Sequence, residues 1–255
     1  MTVFDGIARY YDLLYRDKDY EGEARHVHEI IQKHSPGASR LIELGCGTGG
    51  HAVHLSKLGY RVNGVDQSRS MLDQANQRVD SLPSSSISRL QFTQGDIRQI
   101  RLRKRFDAVI ALFHVISYMT ATKDLEAAFT TACHHLREGG IFLFDAWYGP
   151  AVLTDRPEVR IKRMNDDCTE VWRIAEPLLH VNDNFVDVNY EIFVRDRKTR
   201  QIEVLKETHR MRYIFKPEVE QLFTGCGMQL SECFEWMTGQ PPGYDTWGVC
   251  FVGRK

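Results

Sequence analysis

The sequence contains no long hydrophobic run and no closely paired cysteines. No apolar stretch approaches the roughly 18 residues that span a bilayer, so we expect no membrane association. The opening residues, MTVFDGIARYYD, lack the apolar core of a secretion signal. The 6 cysteines are scattered without a CxxC pair, which is typical of reduced thiols rather than of disulfides or a metal site. These absences predict a cytoplasmic protein that holds no metal.

The chain also lacks an excess of charge of either sign. It carries 33 Lys and Arg residues against 34 Asp and Glu residues. The balance hardly varies along the chain, because residues 1–150 hold 18 against 17 and residues 151–255 hold 15 against 17. A strongly basic half would indicate a nucleic-acid or anionic-membrane partner. We therefore expect neither a nucleic acid nor a membrane as a partner.

Hydrophobic periodicity in the first 150 residues alternates between short apolar strands and amphipathic helices. Residues 106–113 (FDAVIALF) are continuous and apolar, as expected of a parallel strand buried on both faces. Helices are predicted over 21–34 and 70–79, after Gly50, and along the stripe 125–136. On that last helix, His134 and His135 fall off the apolar stripe and are expected to be exposed. The predicted strands are 40–44, 61–65, 90–94, 106–113 and 141–145.

The period changes to two after residue 150. Residues 186–194 alternate strictly between apolar and mostly polar side chains, which predicts an antiparallel strand with one solvated face. Similar patterns cover 158–164, 168–175 and 201–215, and Pro217 opens a short helix. Two closing strands are predicted at 228–235 and 246–253.

These patterns predict an α/β fold. We expect a doubly wound, Rossmann-like, mostly parallel seven-stranded sheet with an antiparallel β insert after the fifth strand. The predicted segments are an N-terminal lid with the cofactor-binding core (1–150), the insert (151–216), and the closing helix and strands (217–255).

A glycine-rich loop, ELGCGTGG (43–50), lies between the first predicted strand and the following helix. Glycines there let a ligand approach the backbone, and the helix N-terminus presents unpaired N–H groups. Asp66 ends the second strand 19 residues after Gly47, where a carboxylate can accept both ribose hydroxyls. Gly45, Gly47 and Gly50 also satisfy GxGxxG, so these residues alone fit NAD(P) as well as other adenosine cofactors.

Further motifs separate these possibilities. The segments ELGCGTG (43–49), GVDQSRSML (64–72), GDIRQI (95–100), FDAVIALF (106–113) and LREGGIFLFD (136–145) resemble those of class I S-adenosylmethionine-dependent methyltransferases, in order and spacing. The resemblance covers residues 40–145. No tyrosine is followed by a lysine four residues later, which disfavours a dehydrogenase.

The resemblance implies S-adenosyl-L-methionine as cofactor and a role for each matching residue. Asp66 would bind the ribose, and Asp96 would contact adenine between Met71 and Ile97. Leu112 would lie beside the methionyl amine. Tyr11 and Tyr20 belong to an N-terminal segment that resembles the lid of small-molecule members. The implied cofactor-binding set is Tyr11, Tyr20, Glu43, Gly45, Cys46, Gly47, Thr48, Gly49, Asp66, Gln67, Met71, Asp96, Ile97 and Leu112.

Within the family, the chain looks most like the amino-sugar N,N-dimethyltransferases, which act on nucleotide-linked sugars. The similarity rests on YYDLLY (10–15), LFHVISY (112–118), the long insert and HRMRY (209–213). Those enzymes tend to carry a histidine near the end of the second of these segments, where this chain has Tyr118. A small-molecule O-methyltransferase, a glycine-type N-methyltransferase and a non-catalytic module that binds the cofactor remain alternatives.

The acceptor side is predicted from residues that follow strand ends or lie on the insert. An amine acceptor must lose a proton before it attacks, and His114 has a suitable pKa for accepting it. The catalytic candidates are His114, Tyr118 and Tyr11. The substrate-binding candidates are Trp147, Tyr148, His209 and Arg212. A diphosphate on the insert would meet Arg156, Arg160, Lys162 and Arg163. Strands of the insert are expected to pair across a two-fold axis in a homodimer.

Overall fold

The computed structural model describes residues 6–80 and 82–255. The first five residues of the predicted lid lie outside the described residues. So does Ser81, in the serine-rich stretch 81–88 that the sequence predicts as a surface loop. The strands are β1 (Arg40–Leu44), β2 (Arg61–Asp66), β3 (Leu90–Gln94), β4 (Phe106–Ala111), β5 (Leu136–Tyr148), β6 (Arg160–Asn165), β7 (Thr169–His180), β8 (Phe185–Asp196), β9 (Ile202–Ile214), β10 (Gln229–Glu235) and β11 (Gly248–Arg254).

Eight α-helices and two 3₁₀ turns connect these strands within the described residues. The α-helices are α1 (Ala8–Leu14), α2 (Tyr20–His34), α3 (Gly50–Lys57), α4 (Arg69–Asp80), α5 (Ser84–Ile87), α6 (Thr122–His135), α7 (Gly149–Thr154) and α8 (Lys216–Gly225). The 3₁₀ helices are Val115–Tyr118 and Val181–Asp183. No helix of the described chain is both long and apolar enough to cross a membrane.

The central sheet confirms the predicted doubly wound fold. β3, β2, β1, β4 and β5 lie side by side in that order and are parallel. β11 then pairs antiparallel with β5, and β10 pairs antiparallel with β11, which completes seven strands. All six residues of β4 are buried, because the strand has neighbours on both sides and helices on both faces.

The insert forms an antiparallel ladder of β6, β7, β8 and β9. Among the described residues, it pairs with the central sheet only at the end of β5, where Trp147 pairs with Tyr213 and Tyr148 with Ile214. Alternation along the strands divides the ladder into two faces. The inner face, which packs against α1, carries Val171, Arg173, Tyr190, Ile192, Glu207 and His209. The outer face carries Ile161, Trp172, Ile174, Phe193 and Val204.

Aromatic side chains fill the core between the sheet, α6 and α8. Phe129 of α6 meets Phe142, Phe144 and Phe223 with ring centroids 5.0 to 5.4 Å apart, mostly edge to face. Gly253 on β11 permits this packing, since a Cβ there would come within 2.2 Å of the Phe223 ring. The core therefore depends on one position that has no side chain.

Three local predictions need correction. β4 ends at Ala111 rather than at residue 113, because Phe113 and His114 adopt left-handed backbone angles. His135 is fully buried, since its Nε2 accepts the backbone N–H of Leu102. The serine-rich stretch, predicted as a surface loop, contains the short helix α5.

Candidate active site

A cleft of about 860 Å³ lies beyond the carboxyl ends of the parallel strands. This is where open α/β sheets bind ligands, because the loops after adjacent strands diverge there. Its floor is the glycine-rich loop, α1 covers one side, and β7 and β8 of the insert form the opposite wall. Most of the predicted site residues line it: Tyr11, Tyr20, Gly45, Cys46, Gly47, Thr48, Asp66, Gln67, Met71, Asp96, Ile97, Leu112, His114, Tyr118 and Trp147.

Five predicted site residues do not belong to the cleft lining. Glu43 lies behind the loop, next to His51. Gly49 is the N-cap of α3, and a Cβ there would come within 2.8 Å of the Phe92 ring. Tyr148 packs on the aromatic core. The remaining two, His209 and Arg212, are buried on β9.

Arg212 has a structural environment. Its Nη1 donates to the backbone oxygen of Thr120 at 2.8 Å, and its Nη2 pairs with Glu218. The guanidinium therefore ties β9 to α8 and to the loop before α6. His209 differs from it, because it contacts a cleft residue directly, as described below.

The glycine-rich loop is held open toward the cleft. Gly45, Gly47 and Gly49 have φ values of 73°, 54° and 75°, which non-glycine residues rarely adopt. A Cβ on Gly47 would meet no atom within 4 Å, so its backbone faces open space. Asp66 fixes the loop, since its Oδ2 accepts the Gly47 N–H at 2.8 Å while its Oδ1 accepts the Ser68 N–H at 2.9 Å.

A buried histidine between two carboxylates supports the loop from below. His51 Nε2 donates to Glu23 Oε2 at 2.7 Å, and its Nδ1 lies 3.6 Å from Glu43 Oε1. Burial raises the pKa of Glu43, only partly offset by His51. Glu43 Oε2 is buried without a hydrogen-bond partner among the described residues. A cationic group in the adjoining cleft would compensate this carboxylate.

The short helix α1 is attached to the loop by polar contacts. Thr48 Oγ1 donates to Asp12 Oδ1 at 2.8 Å, and Arg78 Nη2 donates to Asp12 Oδ2 at 2.6 Å. Tyr11 and Tyr15 project from the same helix into the cleft, with ring centroids 4.7 Å apart. We call Asp12, Thr48 and Arg78 the lid latch.

The backbone is strained where β4 enters the cleft. Phe113 and His114 have φ values of 64° and 63°, an unusual pair for residues with large side chains. Asp145 holds this turn, because its two carboxylate oxygens accept the His114 N–H at 3.1 and 3.2 Å. His114 Nδ1 also lies 2.8 Å from Asp145 Oδ2, within ion-pair distance but without hydrogen-bond geometry.

Tyr118 connects the cleft to the insert. Its hydroxyl lies 2.8 Å from His209 Nδ1, and His209 Nε2 lies 3.0 Å from Glu207 Oε2. Burial raises the pKa of Tyr118 well above its ordinary value, so the phenol stays protonated at neutral pH. A continuous chain of polar groups therefore leads from the cleft through β9.

Sequence reasoning missed a cation on the side of the cleft that the insert forms. Arg173 on the inner face of the insert stands over the rings of Tyr15 and Tyr190, at 5.5 and 5.1 Å. Its Nη1 donates to the Tyr15 hydroxyl at 2.9 Å, its Nε is buried without a partner, and no carboxylate of the described chain pairs with it. The alternating pattern of β7 predicts two faces but does not say which one faces the cleft.

Among the four basic residues predicted to meet a diphosphate, only Arg160 lines the cleft. Lys162 is paired with Asp17 at 2.6 Å. Sequence reasoning also missed His51, Trp236 and Trp247 in the lining. The position of His51 directly after the glycine-rich loop is the one signal that pointed to it.

Comparison with known proteins agrees with this geometry. Residues 41–140 match the model of the family described as a methyltransferase domain. The dTDP-3-amino-3,4,6-trideoxy-α-D-glucopyranose N,N-dimethyltransferase of Streptomyces venezuelae is 29% identical over 238 residues, covering 92% of this chain and 94% of the relative. The dTDP-3-amino-3,6-dideoxy-α-D-glucopyranose N,N-dimethyltransferase of Streptomyces fradiae is 29% identical, covering 93% and 88%.

The crystal structure of DesVI from Streptomyces venezuelae superimposes with a TM-score of 0.80 at 27% identity, covering 97% of each chain. The fold, the matched methyltransferase domain and these relatives identify the chain as an S-adenosylmethionine-dependent methyltransferase. Within this class of enzymes, the chain is similar over nearly its whole length to amino-sugar N,N-dimethyltransferases.

The cofactor of this enzyme is S-adenosyl-L-methionine, and the cleft fits it. The open face of Gly47 admits a ligand against the loop backbone. Glu43 Oε2 lies behind the loop without a hydrogen-bond partner among the described residues, so it can accept from a positively charged amine such as that of the methionyl group. Both observations come from residues that sequence reasoning assigned to the cofactor.

Proposed function

We propose that this enzyme transfers methyl groups from S-adenosyl-L-methionine to the amine of a nucleotide-linked amino sugar. The observation that carries the proposal is the half-buried Arg173 on the side of the cleft that the insert forms, where we place the acceptor. It is a cation without a carboxylate partner among the described residues. A diphosphate is the kind of group that such a guanidinium binds. Both relatives described above are named for dTDP-linked amino sugars, which carry a diphosphate.

On the side of the cleft formed by the glycine-rich loop, Asp66 is proposed to accept the ribose hydroxyls of the cofactor. Its carboxylate already accepts two backbone N–H groups, yet it retains lone pairs for two further donors. Met71 and Ile97 are proposed to flank the adenine, with Asp96 at its edge. Glu43 is proposed to balance the methionyl amine, and Leu112 to lie beside it.

The chemistry that the cofactor supplies is an electrophilic methyl on a cationic sulfonium. The chain contributes position and surroundings: alignment of acceptor and methyl can supply roughly 7–11 kcal/mol of the barrier. Tyr11 on α1 and Tyr20 at the start of α2 are proposed to exclude water and to present aromatic surface to the positive charge of the sulfonium. His114 and Tyr118 are proposed to contact the acceptor amine, beside Trp147.

The insert is also proposed to form the contact of a homodimer. On its outer face, Trp172, Phe193 and Val204 lie opposite one another on three neighbouring strands, and Ile161 lies opposite Ile174. Ile161 on the edge strand β6 and Val204 on β9 are 56% and 48% exposed, so this apolar face is open to solvent. A second copy of the same face is the partner we propose.

We further propose that the enzyme works in the cytoplasm. All six cysteines are free thiols, including Cys46 in the glycine-rich loop and the exposed Cys168. Reduced thiols are the rule in that compartment.

The acceptor is tested by measuring transfer from isotope-labelled S-adenosyl-L-methionine to dTDP-3-amino-3,6-dideoxy-α-D-glucopyranose, to glycine and to simple phenols. We expect the amino sugar alone to be methylated, with mono- and dimethylated products resolved by mass spectrometry. An Arg173→Gln variant should raise KM for the nucleotide sugar at least tenfold and leave the affinity for S-adenosylhomocysteine unchanged. Methylation of glycine or phenols in place of the sugar would refute the proposal.

A further inference from the structure

Three polar side chains form a chain from the cleft to the edge of the insert. Tyr118 lines the cleft at the end of the 3₁₀ helix. Its hydroxyl meets His209 Nδ1 at 2.8 Å, and His209 Nε2 meets Glu207 Oε2 at 3.0 Å. His209 is 3% exposed at its side chain and Glu207 14%. The chain therefore begins at the acceptor site and ends on a carboxylate that solvent can reach.

The direction of these hydrogen bonds is set by the carboxylate. Glu207 can only accept when it is ionised, so His209 Nε2 carries the proton of the neutral imidazole. His209 Nδ1 is then an acceptor, and the Tyr118 hydroxyl donates to it. While the Tyr118 O–H donates to His209, the lone pairs of the same oxygen can accept a hydrogen bond from a donor in the cleft.

The surroundings favour a neutral Tyr118 and place one carboxylate on His209. The groups that face the imidazole are Tyr118 from the 3₁₀ helix, Tyr190 from β8, whose ring centroid is 4.8 Å away, and Glu207 from its own strand. Tyr15, directly after α1, raises the pKa of the Tyr118 hydroxyl, and Arg173 from β7 lowers it. Glu207 is the one carboxylate in contact with the imidazole among the described residues, and it stabilises the imidazolium.

We propose that Tyr118, His209 and Glu207 form a proton relay that deprotonates the acceptor amine. The N–H bond of the acceptor ammonium breaks, its proton passes to the Tyr118 oxygen, and the phenol proton passes to His209 Nδ1. The electron pair left on nitrogen then attacks the methyl group. His209 returns to neutrality by releasing its Nε2 proton through Glu207 to water, which leaves the other proton on Nδ1. The starting tautomer is restored when water returns a proton to Nε2 through Glu207 and the Nδ1 proton leaves through the Tyr118 hydroxyl to water in the opened cleft.

The relay deepens the proposed function and rests on it. A dimethyltransferase releases one proton for each methyl that it transfers, so its base must be reset between the two rounds. A buried base without a route to solvent would remain protonated after the first round. Tyr118 is the group that touches the acceptor, whereas His209 and Glu207 act through it as positioning and proton-accepting residues.

The first test measures kcat against pH with saturating cofactor and dTDP-3-amino-3,6-dideoxy-α-D-glucopyranose. The variants are Tyr118→Phe, His209→Asn and Glu207→Gln. We expect Tyr118→Phe and His209→Asn to lower kcat by about 100-fold, within the range of general-base catalysis. Their affinity for S-adenosylhomocysteine should not change. Glu207→Gln should move the acidic limb of the profile to lower pH, because the imidazolium loses its counter-ion.

A matched control lies on the same insert. His180 Nε2 is 3.1 Å from Asp187 Oδ2, another histidine–carboxylate pair, and neither residue lines the cleft. His180→Asn should keep the kcat and the pH profile of the unmodified enzyme. A purely structural role of His209 would lower the melting temperature and leave the acidic limb in place.

A second measurement needs no acceptor. In the complex with S-adenosylhomocysteine, ¹⁵N chemical shifts of His209 should report a protonated Nε2 and an unprotonated Nδ1. In Glu207→Gln the side-chain amide can also donate, so the Nε2-protonated form of His209 should lose population. The opposite tautomer in the unmodified enzyme, or a tautomer ratio that Glu207→Gln leaves unchanged, overturns the relay whichever acceptor the enzyme uses. Failure of the unmodified enzyme to methylate the amino sugar overturns the proposed acceptor instead.

Discussion

His51 occupies a position where one ionisation affects both the glycine-rich loop and the stability of the core. Burial lowers the pKa of its imidazole, but the hydrogen bond to Glu23 and the nearby Glu43 carboxylate outweigh burial and raise it. Burial likewise raises the pKa of Glu23, and the bond to His51 with the charges of His51 and Lys18 brings it down to about 2. Two carboxylates thus interact with one imidazolium, so removing that cation should lower the free energy of unfolding.

The pH dependence of unfolding follows from these directions. A raised histidine pKa contributes stability that is complete below about pH 6.5, its unfolded value, and is lost as pH rises through the folded pKa. The lowered pKa of Glu23 contributes stability above about pH 4.5 that is lost as pH falls toward 2. We expect a stability maximum between these limits and a decline above neutral pH.

Urea unfolding of His51→Gln tests this expectation. The variant should lose about 3 kcal/mol of unfolding free energy at pH 6, as for other broken buried ion pairs, and much less at pH 9. His28→Gln is the control, since His28 contacts the Tyr60 hydroxyl at 2.8 Å and no carboxylate is its ion-pair partner among the described residues. An equal loss in His51→Gln at both pH values would contradict the assignment.

At the scale of elements, α1 has only 7 residues and cannot be stable alone. Tertiary contacts hold it over the cleft: the lid latch ties it to the glycine-rich loop, and Tyr10 donates to Glu203 of the insert at 3.0 Å. Because cofactor must enter beneath it, the helix is expected to open during each catalytic cycle.

Cutting the latch should therefore accelerate cofactor exchange. Asp12→Ala removes the partner of both Thr48 and Arg78, and we expect S-adenosylhomocysteine to dissociate about tenfold faster, equivalent to roughly 1.4 kcal/mol. Stopped-flow displacement measures this rate. Asp73→Ala is the control, since Asp73 pairs with Arg69 on the exposed face of α4. An unchanged dissociation rate in Asp12→Ala would mean that the latch does not limit exchange.

The elements also show where periodicity is informative. It predicts the strands of the central sheet well, since a strand buried on both faces has a continuous apolar run. It fails at His135, because α6 is covered on a second side by the chain near Leu102, which lies 33 residues away in sequence. Periodicity also predicts β4 too long, because the apolar Leu112 and Phe113 line the cleft and do not belong to the strand.

At the scale of the whole molecule, the outer face of the insert predicts the oligomeric state. Light scattering coupled to gel filtration should give a dimer at about 10 µM, as expected when an apolar sheet face is covered. The double substitution Ile161→Asp with Val204→Asp should give a folded monomer with a melting temperature within a few degrees of the unmodified chain. Both side chains are already half exposed, so the monomer should tolerate the change.

The control for this experiment is Leu58→Asp. Leu58 follows α3 and is 40% exposed on the central domain, away from the insert. It should leave the dimer intact. A monomeric unmodified protein at the same concentration would refute the proposed interface.

The sequence by itself determined the class of enzyme, the order of the central elements and the residues that line the cleft beside the glycine-rich loop. These features are local: the glycine-rich loop, Asp66, Met71 and Ile97 follow strand ends at spacings that the parallel sheet dictates. Once the strands were predicted, the side chains after them had to meet at one edge.

Only the tertiary structure decided the side of the cleft that the insert forms. Tyr118 and His209 are 91 residues apart, and Arg173 reaches Tyr15 across 158 residues. A two-residue period predicts that β7 and β9 have two faces, but which face turns toward α1 depends on how the insert docks at Trp147 and Tyr148. That docking places His209 behind Tyr118 and leaves Arg212 in a structural ion pair, although both residues lie on the same strand.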